Sequence, residues 1–263
     1  MKADHCATPL VLAGDARSVA PIAWHLARSG LGPSWIVGGT PGESGDAAAS
    51  LHHLAVALRA PEEVRAPRAV IIAGDGPAGL DLLARMAAAA SGAVVITTGS
   101  GSAAMAGEIV LRLRLPVERV LATGGLPRQL AIERAIAAEA GVSRSQVSAP
   151  VIGPRDGAAR ALRRYVRISG APAGLFMDEE ALLHALDPAP CRGPALEGRA
   201  VVLMAGAVLR DRRRVVSCGA MHAQEGGLPE GLYSLPVVIG REGIVARLTL
   251  TLTLEERVFL GRV

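Results

Sequence analysis

Rings are scarce in this sequence: Trp24, Trp35, Tyr165, Phe176, Tyr233 and Phe259 are the only aromatics among 263 residues. So few argue against a function that stacks bases or sugars along an aromatic platform. Asparagine is absent, and Lys2 is the single lysine against 27 arginines. A Walker-type phosphate loop is thereby excluded, because its lysine reaches the phosphates from within the loop. Cys6, Cys191 and Cys218 are odd in number and far apart, which fits neither a disulfide framework nor a zinc site. Among six histidines no pair has a metal spacing with a carboxylate; adjacent His52 and His53 would diverge by about 100° on a helix. The apolar stretches at 84–98 and 199–209 are interrupted by Gly, Ser, Arg or Glu, so none has membrane-spanning length. Asp4 and His5 precede a short apolar run, unlike a signal peptide. These absences set the expectation of a soluble, cytoplasmic globular protein with no membrane partner.

What is present is an apolar chain, 50% hydrophobic and 20% charged, with a formal net charge of +4. Its length suffices for one large core or two modest ones. Arginine is scattered, and its one dense run, Arg210 with Arg212, Arg213 and Arg214, follows the apolar segment 201–209. Cations at a helix C-terminus are stabilising and solvated, so the run is expected to be surface and nucleic acid is not expected as a partner. Cys218 is expected to be a packed thiol rather than a nucleophile.

Short apolar runs at 9–13, 35–37, 69–73, 93–97 and 117–121 read as strands, and segments at 19–29, 47–59, 80–90 and 103–112 as helices. Apolar strands alternating with helices predict a parallel sheet covered on both faces. Residues 1–122 are therefore expected to form a Rossmann-like, doubly wound domain. Residues 123–263 change character: helices at 129–140, 179–186, 196–210 and 254–260, and strands at 146–152, 214–218, 233–240 and 244–251. Segregated strands and helices predict an α+β domain.

The segment from Arg210 to Arg257, with Tyr233-Ser-Leu-Pro-Val-Val-Ile-Gly-Arg-Glu-Gly-Ile-Val245 at its centre, resembles the C-terminal part of the lactate/malate dehydrogenase family, nearer its malate branch. The stretches around 120–153 and 163–172 are similar to the same family's region near its catalytic histidine. The resemblance runs in order along the whole chain. It implies an α/β fold with an NAD-binding type domain followed by a lactate/malate dehydrogenase C-terminal type domain, and a homo-oligomer.

The departures from the family are equally informative. Its glycine-rich cofactor loop, G-x-G-x-x-G, corresponds here to Gly14-Asp15-Ala16-Arg17-Ser18-Val19, in which only the first glycine remains and Asp15 brings negative charge to a pyrophosphate position. Arg17 is placed to compensate by pairing with a phosphate. Gly38 and Gly39 stand where an acidic residue would hold the ribose. The general acid/base histidine is replaced in Gly153-Pro154-Arg155-Asp156-Gly157 by Arg155, a guanidinium that cannot shuttle a proton. The family's partner Asp and substrate-clamping Arg correspond to Arg128 and Ala131, its substrate-binding Asn-Pro to Gly99-Ser100, and Gly74–Gly79 leads straight into a helix with no room for the mobile lid. The segment Thr98-Gly99-Ser100-Gly101-Ser102-Ala103-Ala104 matches G-x-G-x-x-A after a strand; it reads either as a serine-capped helix start or as a retained anion site.

The expected function is that of a degenerate malate/lactate dehydrogenase-like protein without catalytic residues, with a binding, regulatory or scaffold role in a homo-oligomer or with an active paralogue. The alternative is an NAD(P)-dependent oxidoreductase with a rebuilt site. In that case NAD or NADP meets Gly14, Arg17, Gly99 and Gly101, with Trp24 and Trp35 near the pocket.

Overall fold

The computed structural model describes residues 10–31, 34–38, 55–58, 60–74, 77–154, 158–189, 193–223 and 228–261. The first half runs β1 (Leu10–Gly14), α1 (Ala16–Arg28), β2 (Ser34–Gly38), β3 (Ala55–Leu58), β4 (Ala69–Ala73), α2 (Pro77–Arg85), α3 (Ala87–Ala90), β5 (Val94–Thr98), α4 (Ser102–Leu113) and β6 (Val120–Ala122). Every residue of β1, β4 and β5 is buried, as central parallel strands covered on both faces require. Alternation along them sorts side chains between two cores. Leu10, Leu12, Ile71 and Ile96 pack on one face with α1, and Val11, Val70, Ile72 and Val95 on the other with α2 and α4.

The second half continues α5 (Leu126–Glu139), β7 (Val147–Ser148), β8 (Val151–Ile152), β9 (Arg160–Ala161), β10 (Arg167–Ile168), β11 (Ala171–Pro172), α6 (Glu179–Ala185) and α7 (Pro194–Leu209), then β12 (Arg214–His222), β13 (Gly231–Gly240), β14 (Gly243–Arg247) and α8 (Leu254–Leu260). One nine-stranded sheet has the order β14-β13-β12-β6-β5-β4-β1-β2-β3. Strands β1 to β6 pair in parallel in the doubly wound order. The antiparallel trio joins them where Gly219 of β12 faces Ala122 of β6. Helix α7 lies on the α1 side of this sheet, with Val201, Met204, Ala205 and Val208 buried in the same core as Leu12 and Ile71.

Three expectations are corrected. Within 47–59, residues 55–58 form an edge strand paired in parallel with β2; sheet pairing overrides the helix propensity of an Ala- and Leu-rich segment, and the remainder up to residue 54 lies outside the described residues. The strand expected at 146–152 is two short pieces, β7 and β8, separated by Ala149 and Pro150, because Pro150 cannot donate to a ladder. Strand β14 ends at Arg247, opposite Val237; the next partner would be Pro236, again without an N–H.

Helix α8 closes on a reciprocal cap. Thr253 Oγ1 accepts from the Glu256 N–H at 3.3 Å, and Glu256 Oε2 accepts from the Thr253 N–H at 2.8 Å. Arg164 then clamps the Glu256 carboxylate, with one N–H···O distance of 2.9 Å. Thr253→Ala is expected to cost about 1 kcal/mol, read as a lower urea midpoint with an unchanged slope.

Candidate functional site

In an open parallel sheet the ligand crevice lies beyond the carboxyl ends of the strands, where the order reverses. Here that place is between β1 and β4, and a cavity of about 330 Å³ opens there. Its walls are Ser18, Pro21 and Ile22 from α1, Gly74 after β4, Thr98 at the end of β5 with Gly99 and Ser100 after it, and Gly193, Pro194 and Glu197 at the start of α7. The α1 N-terminus, which would offer its N–H groups to an anion, is capped by its own chain: Asp15 Oδ1 accepts from the Ser18 N–H at 3.0 Å. Across the crevice Glu197 Oε2 accepts from the Thr98 hydroxyl at 2.8 Å and from the Thr123 hydroxyl at 3.0 Å. Both threonines are buried, so this carboxylate is fixed. Among the described residues that line the crevice none is His, Lys, Arg or Cys.

The four residues expected to bind a cofactor separate. Gly99, at φ +112°, lines the crevice beside Ser18. Gly14 ends β1 and faces β4, where an added Cβ would lie 2.1 Å from the Ala73 carbonyl oxygen. Gly101 is the N-cap of α4, outside the lining. Residue 17 is in the first turn of α1, and its side chain lies outside the described residues. The expected serine cap is corrected: Gly101 holds that position without a capping side chain, and Ser102 is the first, buried helical residue, its carbonyl accepting from the Thr97 hydroxyl at 2.6 Å. Trp24 and Trp35 are also off the crevice. Trp24 is half exposed under the Arg28 guanidinium, and Trp35 packs on the opposite core.

Arg128 is ion-paired with Asp187 at 2.6 Å, and Ala131 is buried. Arg155 and Asp156 lie outside the described residues. Cys218 is fully buried and burial pushes its thiol up to about 12, so it is no nucleophile at neutral pH. Among the described residues no group of three His, Cys, Asp or Glu is placed to hold a metal, and no helix is long and apolar enough to cross a membrane.

The Glu197–Thr98–Thr123 cluster was not anticipated. Its members are 74 and 99 positions apart and meet only because α7 returns over the ends of β5 and β6. The one local sign was a threonine at the carboxyl end of each of two successive parallel strands, where α/β proteins place ligand contacts.

These residues do not fit a dinucleotide. A pyrophosphate here would meet Asp15 on the helix end that should bind it and Glu197 opposite. Gly38 ends β2, so that position offers no carboxylate to a ribose.

No protein-family model matches the chain. In sequence it is 30% identical over 153 residues to a malate dehydrogenase of Roseiflexus sp. (strain RS-1), covering 54% of this chain and 50% of that protein. It is 30% identical over 161 residues to an L-lactate dehydrogenase of Synechococcus sp. (strain JA-3-3Ab), covering 56% and 53%. The chain thus spans about half the length of the curated relatives it matches. In structure it superposes on a malate dehydrogenase from Aeropyrum pernix with a TM-score of 0.80 at 22% identity, over 95% of this chain and 93% of that one. A lactate dehydrogenase from Cryptosporidium parvum gives 0.82 at 21%, over 97% and 95%. In sequence the chain is thus similar, over about half its length, to malate and lactate dehydrogenases, and its fold is the one those enzymes share.

Proposed function

We propose that this protein is a non-catalytic relative of the malate and lactate dehydrogenases, kept in the cytoplasm for binding, regulation or scaffolding, as a homo-oligomer or beside an active paralogue. Residues 1–122 form its Rossmann-type unit and 123–263 its C-terminal unit. The observation that carries this reading is the chemistry of the crevice. Its described lining has no Lys or Arg to hold a carboxylate or a phosphate and no His or Cys, while Glu197 and, at the adjoining start of α1, Asp15 contribute carboxylate oxygens. Hydride transfer from a 2-hydroxy acid needs a proton acceptor within hydrogen-bond reach of the hydroxyl, and a carboxylate substrate needs a guanidinium-type clamp.

The test is a calorimetric titration with NADH and NADPH, paired with malate and lactate oxidation assays. No saturation below millimolar cofactor and no turnover are expected. Micromolar binding that Ser100→Trp abolishes by filling the crevice would sink the proposal and favour the rebuilt oxidoreductase with Gly99 at its cofactor.

A further inference from the structure

At the other end of the α1–α7 pair the electrostatics reverse. A cleft of about 400 Å³ lies between the last turn of α1, the face of α7, the turn after α5 and the segment entering β12. Six arginines converge on it: Arg28, Arg144, Arg199, Arg210, Arg212 and Arg214. Only the last three are neighbours in sequence, the run expected to be a solvated helix end. Folding adds the others from three separate elements and turns a linear run into a concave site.

Counter-charge is sparse. Among the described residues Glu133 is the only carboxylate within ion-pair distance of these six, 3.4 Å from Arg144. Burial raises its pKa. Arg210 is steadied by donating to the Gly30 carbonyl at 2.7 Å, and Arg28 lies over the Trp24 ring at 4.8 Å. Neither contact neutralises charge. The positive field registers on the neighbours: His25 is held below its usual range by burial, then by Arg199 and Arg28, and Arg199 is lowered by burial, then by Arg144 and Arg134.

Like charges gathered in a concavity cost stability unless an anion answers them. Guanidinium forks match phosphate oxygens two at a time. The volume is that of a small-molecule site, too confined for a nucleic-acid duplex, and its lining contains no Phe, Tyr or Trp. We propose that this cleft binds a small anion carrying two or more phosphate groups. The proposal goes beyond the function argued above and does not depend on loss of the dehydrogenase reaction.

Pyrophosphate titrated into the full chain by calorimetry is expected to bind saturably at one site, more than tenfold tighter than inorganic phosphate, and to raise the melting temperature as a ligand of the folded state does. Arg199→Met and Arg212→Met keep most of the apolar stem and remove the charge of exposed side chains, so both variants should fold. Each is expected to weaken pyrophosphate about tenfold. Arg85→Met, on an arginine paired with Glu62 far from the cleft, should leave binding unchanged. Displacement of pyrophosphate by ADP would assign the natural ligand to the nucleotides, and failure of ADP to compete would assign it to non-nucleotide bisphosphates; the cleft stands in either case. Absence of saturation, equal weakening by Arg85→Met, or displacement by duplex DNA at lower phosphate concentration than pyrophosphate itself would overturn the proposal.

Discussion

Gly14→Val is expected to remove more than about 4 kcal/mol of folding free energy, a large share of the roughly 5–15 kcal/mol typical of a domain. Gly14 adopts φ +150°, and a Cβ placed on it falls 2.1 Å from the Ala73 carbonyl oxygen of the neighbouring strand. That oxygen is backbone at the end of a fully buried central strand, so nothing flexible gives way. Gly30 supplies the control. It has φ +64° but nothing within 4 Å of its would-be Cβ, so Gly30→Ala should cost only about 1–2 kcal/mol of left-handed strain. Urea denaturation followed by circular dichroism separates the two. Equal midpoints for both variants would mean that the closeness of β1 and β4 is not what demands glycine at position 14. Gly14 also matches the first glycine of a G-x-G-x-x-G pattern, and the close approach of β4 is by itself a reason for glycine there.

The sheet was legible because its signal is local. Continuous apolar runs such as Ala69–Ala73 can only be central strands or buried helix, and the Gly and Pro punctuation around them decides for strands. The ends of α1 and α5 were marked by Gly30 and Gly141, both in the left-handed region, where a side chain would be strained. Strand β3 was not legible, since Ala55–Leu58 carries a helix-forming composition and becomes a strand only by pairing with β2. The site divided in the same way. The residues that differ from the G-x-G-x-x-G and G-G-H-G-D patterns can be read one by one from the sequence, whereas Glu197 on the two threonines and the six-arginine cleft are products of topology. In each, residues separated by tens of positions are brought together by α7 crossing the sheet, and no spacing rule announces that.

Acid should destabilise the protein through His222. This residue ends β12, is 4% exposed and tilts against the Tyr233 ring with centroids 6.3 Å apart. Its Nδ1 accepts from Arg247 Nη1 at 3.3 Å, and its Nε2 has no hydrogen-bond partner among the described residues. The adjoining cavity of about 280 Å³ is lined mainly by leucines, including Leu228, Leu235, Leu250 and Leu252. Among the described residues that line this cavity there is no carboxylate to pair with an imidazolium, which would face the Arg247 guanidinium. Burial first, and Arg247 second, lower its pKa from 6.5 to about 4. Above pH 6.5 the ring is neutral in both the folded and the unfolded chain and contributes no slope. As pH falls from 6.5 to 4 the unfolded chain takes up the proton first, so the unfolding free energy drops, by about 3 kcal/mol across the window. Below pH 4 this contribution levels off. His25, also lowered, adds to the slope, and Glu133, raised by burial, opposes it over the pH range just above the ordinary carboxylate value. Both stay in His222→Gln, so the difference between the two proteins isolates the imidazole. Urea denaturation at intervals from pH 7 to pH 4 is expected to show the original protein losing stability steadily while His222→Gln stays flatter by about that 3 kcal/mol. Parallel curves would place the ring in contact with water or a counter-charge, and the cavity beside it would then be wet rather than apolar.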